Sequence, residues 1–219
     1  MQNKTFENFR VDEGNQKAVL AAKGLRRGRS LGLCGYTGRG KTHLSIAALI
    51  GFYPVEDQSI LERLRKDWQN CRVERRIEQP IEEGDEQEIK TRLKLIEEMA
   101  QKPETVYRSA VCRFVRAVDL IGQIIDIPVG TGEKDRVLKT LGSTFDCLCI
   151  DDIGSERETE ASKQILYNIV DARYLNNLST IVTTNRKAED FYKNDPAIYG
   201  RLCEEGEVIE VSGINWRLT

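Results

Sequence analysis

The sequence predicts an α/β protein: a central parallel sheet flanked by helices, with a charged helical hairpin inserted into it. Three observations carry that expectation. From residue 109 onward, short apolar runs alternate with stretches of helical periodicity, the pattern of strand–helix–strand units whose sheet is covered on both faces. A glycine-rich loop, residues 35–42, stands between an apolar run and a helical run. Between residues 55 and 106 charge becomes dense and the strand pattern stops.

Residues 15–25, NQKAVLAAKGL, place apolar residues at helical spacing and stop at Lys-Gly, a helix with a glycine end. Ser30–Cys34 reads as a short strand, and HLSIAALIGFY as a helix apolar on most sides and therefore buried. In the charged block, Leu61, Leu64, Trp68 and Cys71 form one apolar stripe, and Ile89, Leu93, Ile96 and Ala100 form another. Each stripe suits one helix face, and QPIEEGDEQ between them is turn-like. The expected division is residues 1–54 and 107–219 as the main domain and 55–106 as an inserted hairpin, self-packed or serving as a partner-docking arm.

The alternating pattern resumes with Ser109–Val115 as a strand and Asp119–Ile127 as a helix stopped by Pro128. PVGTGEK is a loop, DRVLKTLG a short helix, and Cys147–Ile150 an apolar strand ending in Asp151-Asp152. Residues 160–176 read as a helix, Ser179–Thr183 as a strand, Pro196–Cys203 as a helix and EVIEVSG as a last strand.

The chain of 219 residues is long enough for one substantial core. Its 40% hydrophobic and 31% charged residues describe a globular protein with a well-charged surface. A net charge of −2 excludes a globally basic nucleic-acid coat but leaves room for a local basic stripe. No apolar run is long enough to span a membrane, and MQNKTFENFR is too polar for a signal peptide. The expected location is the cytoplasm, with no membrane partner. Six scattered cysteines, four in or beside strand-like runs, fit buried thiols in a reducing compartment. Cys147 and Cys149 alternate along one strand, with no His or Cys partner at zinc-like spacing.

Gly35-Tyr36-Thr37-Gly38-Arg39-Gly40-Lys41-Thr42 matches the phosphate-loop pattern G-x-x-x-x-G-K-[ST] at every fixed position. Glycines allow a tight loop whose N–H groups converge on phosphate oxygens, and the following helix adds its positive end. Lys41 is expected to reach the β- and γ-phosphates, and the Thr42 hydroxyl to hold Mg²⁺. LCIDDIG supplies the matching acidic strand tip. Asp151 is placed to hold Mg²⁺, and Asp152 to orient or deprotonate an attacking water. Two carboxylates favour hydrolysis over transfer to a small acceptor. Asn185, after the strand ending Thr183-Thr184, is placed to bond that water or sense the γ-phosphate.

The lead-in TFENFRVDEGNQKAVLAAKGL, the loop GYTGRGKT, IDDIG, VTTN and YGRLCE together resemble the helicase-loader branch of the AAA+ ATPases, the P-loop NTPase group containing the DnaC and DnaI loaders and similar to IstB-like ATPases and DnaA. The resemblance covers residues 5–50 and 109–217. It implies that ATP and Mg²⁺ are bound, with Phe9 and Val11 along the adenine and Asn185 as the first sensor. It also implies that Arg201 is an arginine finger reaching a neighbouring subunit of a homo-oligomer, and Arg217 a second sensor. The nucleotide-binding set is then Phe9, Val11, Gly35, Tyr36, Thr37, Gly38, Arg39, Gly40, Lys41, Thr42, His43 and Arg217. Lys41, Asp152, Asn185 and Arg201 are catalytic, and Thr42 and Asp151 hold the metal. His43 needs no catalytic role, and Arg39 has none assigned.

Two departures stand out. The match begins at residue 5, so the loaders' usual N-terminal helicase-gripping region is expected to be missing, and the 55–106 hairpin is longer than the family's usual link. The implied function is an ATPase that assembles on single-stranded DNA and helps load a replicative helicase. Candidate DNA contacts are Arg113, Phe114, Arg116 and the Thr131–Lys139 segment. An IstB-like regulator of a transposase stays open, as does, from another class, a small-molecule kinase or non-hydrolysing nucleotide switch.

Overall fold

A computed structural model describes residues 4–52, 111–128, 130–156 and 158–215. The inserted hairpin expected at 55–106 and Arg217 lie outside the described residues. In chain order the elements are α1 (Gln16–Lys23), β1 (Leu31–Cys34), α2 (Lys41–Gly51), β2 (Cys112–Arg116), α3 (Ala117–Ile125), α4 (Glu133–Ser143), β3 (Cys147–Ile153), α5 (Glu160–Leu175), β4 (Ser179–Thr184), α6 (Ala188–Asn194), α7 (Pro196–Glu205) and β5 (Glu207–Glu210).

The five strands form one sheet in the order β2-β3-β4-β1-β5, and every neighbouring pair is parallel. The period-2 alternation of strand side chains feeds two separate cores. On one face Leu31, Leu33, Phe114, Cys147, Cys149 and Ile181 pack with α1 and α2. On the other Leu148, Ile150 and Val182 pack with α3, α5 and α7. Both faces are covered, so the central strands β1, β3 and β4 are buried over nearly their whole length, as in parallel sheets generally. Cys147 and Cys149 do share one face, as small buried core side chains.

Several boundaries move. β3 continues through the acid pair to Ile153, and β4 takes in Thr184. The first helix after β2 begins at Ala117, two residues before the expected Asp119, directly after Arg116, which is still extended and serves as its cap residue. The last strand ends at Glu210. α6 was not expected: AEDFYKN buries only Phe191 and is too short to display a period. α5 starts on a reciprocal cap, in which the Ser162 N–H donates to Thr159 Oγ1 at 3.1 Å and the Thr159 N–H to Ser162 Oγ at 2.8 Å. Among the described residues no helix is long and apolar enough to cross a membrane.

An arginine stands fully buried between α4, α5 and the starts of the strands. Arg173 Nε donates to Thr180 Oγ1 at 3.1 Å, Nη1 to the Leu141 carbonyl at 2.8 Å, and Nη2 to the Phe145 and Ser179 carbonyls at 2.8 and 2.7 Å. Burial pushes its pKa down to about 10, so it is still charged at neutral pH. Its fork closes the C-terminal end of α4, whose last carbonyls have no helical partner.

Candidate functional site

β1 delivers the chain into the glycine-rich loop, and α2 begins at Lys41 with Gly40 as its cap residue. Gly40 has φ of 90°, and a β-carbon there would meet the Phe9 ring at 2.6 Å. Only glycine serves both the left-handed turn and that approach. Phe9 is buried, edge-on to His43 with ring centroids 5.0 Å apart. His43 Nε2–H donates to the Thr5 carbonyl at 2.8 Å, and burial lowers its pKa. His43 therefore fastens the N-terminal lead-in to the loop helix. Val11 stays exposed beside it, as does Tyr36 within the loop, while the Asn215 side chain sits against Gly38.

Lys41 is 6% exposed. Its ammonium donates to the Gly35 carbonyl at 2.7 Å, the Tyr36 carbonyl at 2.8 Å and Asn185 Oδ1 at 2.9 Å. The Asn185 amide nitrogen in turn donates to Asp152 Oδ1. This chain from lysine to acid exists because β4 lies between β1 and β3, which sets the tip of β4 midway between the loop and the acid pair.

Adjacent residues on a strand point to opposite faces, so Asp151 and Asp152 should not both serve one site. A bulge removes the conflict. Ile150 pairs with Val182 and Ile153 with Thr184, so two residues of β3 oppose the single Thr183. Asp152 takes φ of 63° in making that turn, a strained conformation of the kind functional sites hold. Thr183 Oγ1 ties the bulge together: it donates to Asp151 Oδ1 at 2.7 Å and accepts from the Asp152 N–H at 2.8 Å. The Thr42 hydroxyl lies 3.0 and 3.1 Å from the two oxygens of Asp151. Burial raises the Asp151 pKa, and the bonds from Thr183 and Thr42 pull it back down.

Among the described residues no group of three or more His, Cys, Asp or Glu is placed to hold a metal ion. What converges is one hydroxyl and one carboxylate, all oxygen. That donor set suits Mg²⁺, which keeps few protein ligands and takes the rest from phosphates and water.

Arg186 braces the site from behind. Its carbonyl accepts from the Gly35 N–H at 2.5 Å. Its guanidinium lies across Gly154, pairs with Glu158, and donates to Asp195 Oδ2 at 2.7 Å just ahead of α7. One residue thus joins the loop, the exit from β3 and the start of α7. Arg201, on α7, meets α5 instead of the loop. Its Nε donates to Asp171 at 2.8 Å, Nη1 to Glu204 at 3.1 Å, and its guanidinium stacks 4.2 Å from the Tyr174 ring centroid.

Hydrogen bonds link Lys41 to Asn185, Asn185 to Asp152, and Thr42 to Asp151, and Phe9 and His43 pack beside the loop residues Gly35–Gly40. Thr183 and Arg186 were missed as site residues. Their only local signal was position at a strand tip, beside Asn185. One DNA-contact candidate on β2 is corrected: Phe114 is 2% exposed and faces the core, so it cannot stack a base; Arg113 and Arg116 are half-buried, and Arg116 donates to Asp119 at 3.2 Å. The Thr131–Lys139 segment is exposed over most of its length, with Glu133 and Asp135 among its cations.

No protein-family model matches the chain, and no curated protein sequence matches it. Solved structures do. The DnaC helicase loader superposes with a TM-score of 0.62 at 19% identity, over 96% of this chain and 97% of the loader chain. DnaI gives 0.55 at 17% identity, over 95% and 90%. The replication initiator DnaA bound to AMPPCP and single-stranded DNA gives 0.59 at 19% identity, over 98% of this chain but only 51% of the initiator. The chain has the α/β phosphate-loop fold that these structures share.

Proposed function

We propose that this chain, built on the fold of the DnaC, DnaI and DnaA domains, is an ATPase of the helicase-loader type. On this reading it acts in the initiation of DNA replication, with a replicative helicase and single-stranded DNA as partners. The observation that carries the reading is the bulge at Asp151-Asp152, which aims two carboxylates at the place where Lys41, Thr42 and Asn185 converge. A nucleotide-binding switch needs the first acid only. The second, partly exposed and hydrogen-bonded to Asn185, is what hydrolysis adds.

The loop N–H groups and Lys41 would hold the β- and γ-phosphates, the ammonium exchanging its loop carbonyls for phosphate oxygens. Thr42 and Asp151 would hold Mg²⁺, which when bound neutralises charge on the phosphates. Asn185 orients a water against Asp152. The water oxygen bonds to the γ-phosphorus as the bond to the β-phosphate bridging oxygen breaks, Asp152 accepts the water's proton, and ADP and phosphate leave. Arg201 is exposed enough to exchange Asp171 and Glu204 for a neighbouring subunit's γ-phosphate, and a permanently charged fork suits that task. Val11 and Phe9 line the side where the base would lie.

Phosphate release measured against protein concentration, with and without single-stranded DNA and a replicative helicase, tests the reading. Turnover per chain should rise with concentration as subunits meet. Asp152→Asn should keep nucleotide affinity and lower turnover by about 10²–10⁴-fold, the usual worth of a general base. Unchanged turnover in Asp152→Asn refutes the hydrolytic assignment.

A further inference from the structure

Residues 14–55 contain no aspartate or glutamate, yet they carry Lys17, Lys23, Arg26, Arg27, Arg29, Arg39 and Lys41. In a chain of net charge −2 that is a strong local asymmetry. Arg39 and Lys41 belong to the phosphate loop. The other five lie on α1 and on the turn Arg26-Arg27-Gly28-Arg29 that leads into β1, and all five are exposed. β1 runs away from this turn toward the loop, so the turn stands at the opposite edge of the sheet, about 13 Å of strand from Gly35. These cations therefore do not serve the nucleotide.

The turn is held rigidly. The Arg29 N–H donates to the Arg26 carbonyl at 3.0 Å, and that carbonyl also accepts from Ser179 Oγ at the start of β4, at 3.0 Å. Gly28 has φ of 75° and fits against the Asn177 side chain, where a β-carbon would lie 2.5 Å from Oδ1. The Ser30 hydroxyl accepts from the Thr180 N–H at 3.2 Å. Three guanidiniums are thus presented from a fixed backbone. Arg27 has Asp146 at 4.0 Å, and Lys17 has Glu207 at 3.5 Å. Among the described residues Arg26 and Arg29 have no ion-pair partner.

Like charges crowded on one stiff turn repel, and a polyanion relieves that repulsion. We infer that the Arg26–Arg29 turn, flanked by Lys17 and Lys23, is a second binding surface, which takes the phosphodiester backbone of a nucleic acid at the edge of the sheet opposite the phosphate loop. Protein partners are gripped through clusters of buried aromatic or aliphatic anchors; the turn itself presents none, since Leu25 points into the core, and on the neighbouring face of α1 Leu20 is a single exposed aliphatic side chain. Phosphates need only guanidinium forks. With no aromatic, Asn or Gln on the turn, binding here is indifferent to base sequence. The inference rests on the proposed DNA partnership but places the contact away from β2, where the sequence suggested it.

The test is the salt dependence of oligonucleotide binding by the full chain, using fluorescent mixed-sequence DNA in single-stranded and duplex arms. The triple variant Arg26→Gln/Arg27→Gln/Arg29→Gln should bind more weakly. The slope of log affinity against log salt should fall in magnitude by about 2 for single strands and about 3 for duplex, the loss of three phosphate contacts. A fourfold rise in salt then costs the variant about 20- to 40-fold less affinity than it costs the wild type. The triple lysine variant should retain the wild-type slope, and a fluorescent ATP analogue should bind all three proteins alike. A glutamine variant with the wild-type slope overturns the surface while leaving the DNA partnership standing, and would point to an acidic protein face instead. A wild-type chain that binds neither oligonucleotide at low salt overturns both.

Discussion

Replacing Thr183 by valine removes one hydroxyl and almost nothing else, because the two side chains have nearly the same shape. The hydroxyl is 1% exposed with its residue and makes two bonds, to the Asp151 carboxylate at 2.7 Å and from the Asp152 N–H at 2.8 Å. A hydrogen bond to a charged group contributes about 1.5–3 kcal/mol, and a buried N–H left without an acceptor costs about 1–3 kcal/mol. No cavity opens, so Thr183→Val should cost about 2.5–6 kcal/mol at neutral pH, or roughly 5–24 °C in Tm for a chain of this size. The loss should depend on pH. Asp151 holds its proton more tightly in the folded state than in the unfolded one, chiefly through burial, and the Thr183 bond opposes that shift. Stability therefore falls as pH rises from the ordinary aspartate value through the folded pKa. The valine variant raises that pKa further, so its deficit is full at pH 7.5 and shrinks as pH falls and the folded state takes up the Asp151 proton. The acid limb of the hydrolysis profile should move to higher pH for the same reason. Thermal unfolding at pH 7.5 and pH 4 measures both effects, with Thr183→Ser as the rescue. An equal Tm at pH 7.5, or a deficit of the same size at both pH values, would refute the role given to the bulge.

Arg173→Met should lose about 3–5 kcal/mol of stability, read by urea denaturation, because three carbonyls and a hydroxyl lose a buried donor. Nucleotide affinity of its folded fraction should be unchanged, as Arg173 lies at the opposite edge from the loop. Arg186→Lys keeps the charge but cannot bridge Glu158 and Asp195 as a fork does. Steady-state kinetics should show kcat falling further than KM rises, since Arg186 backs Asn185 and the exit from β3. Arg201→Ala should leave ATP-analogue affinity within about twofold and remove the rise of turnover with protein concentration, a flat profile being the expected signature of a lost subunit contact.

Over the described residues, the layered α/β plan was legible because both of its signals are local. A parallel strand buried on two faces tends to be apolar along its whole length, as Cys147–Ile150 is, while Ser179–Thr184 is fully buried with Ile181 and Val182 at its centre and β-branched threonines around them. The glycine-rich loop was legible for the same reason: its glycines, Lys41 and Thr42 lie within eight consecutive residues. Phe114 misled because a bulky ring between two arginines looks alike on a nucleic-acid face and on a strand with one side in the core. The strand order settled which it was, since the β2 residues at Cys112 and Phe114 face the α2 layer.

By itself, then, the sequence determined the glycine-rich loop, the acidic strand and the alternation that builds the sheet. Tertiary structure decided how those parts meet. Thr42 and Asp151 are 109 residues apart in the chain, and Thr183 and Asp151 are 32 apart. Placing β4 between β1 and β3 turns Thr183 and Asn185 from strand-end residues into the link between loop and acids. The bulge then allows adjacent aspartates to share one side of the sheet, which strand periodicity alone forbids. Periodicity is a property of neighbouring residues and can be read along the chain. Register is a property of two strands packed side by side, and it exists only once the core has closed.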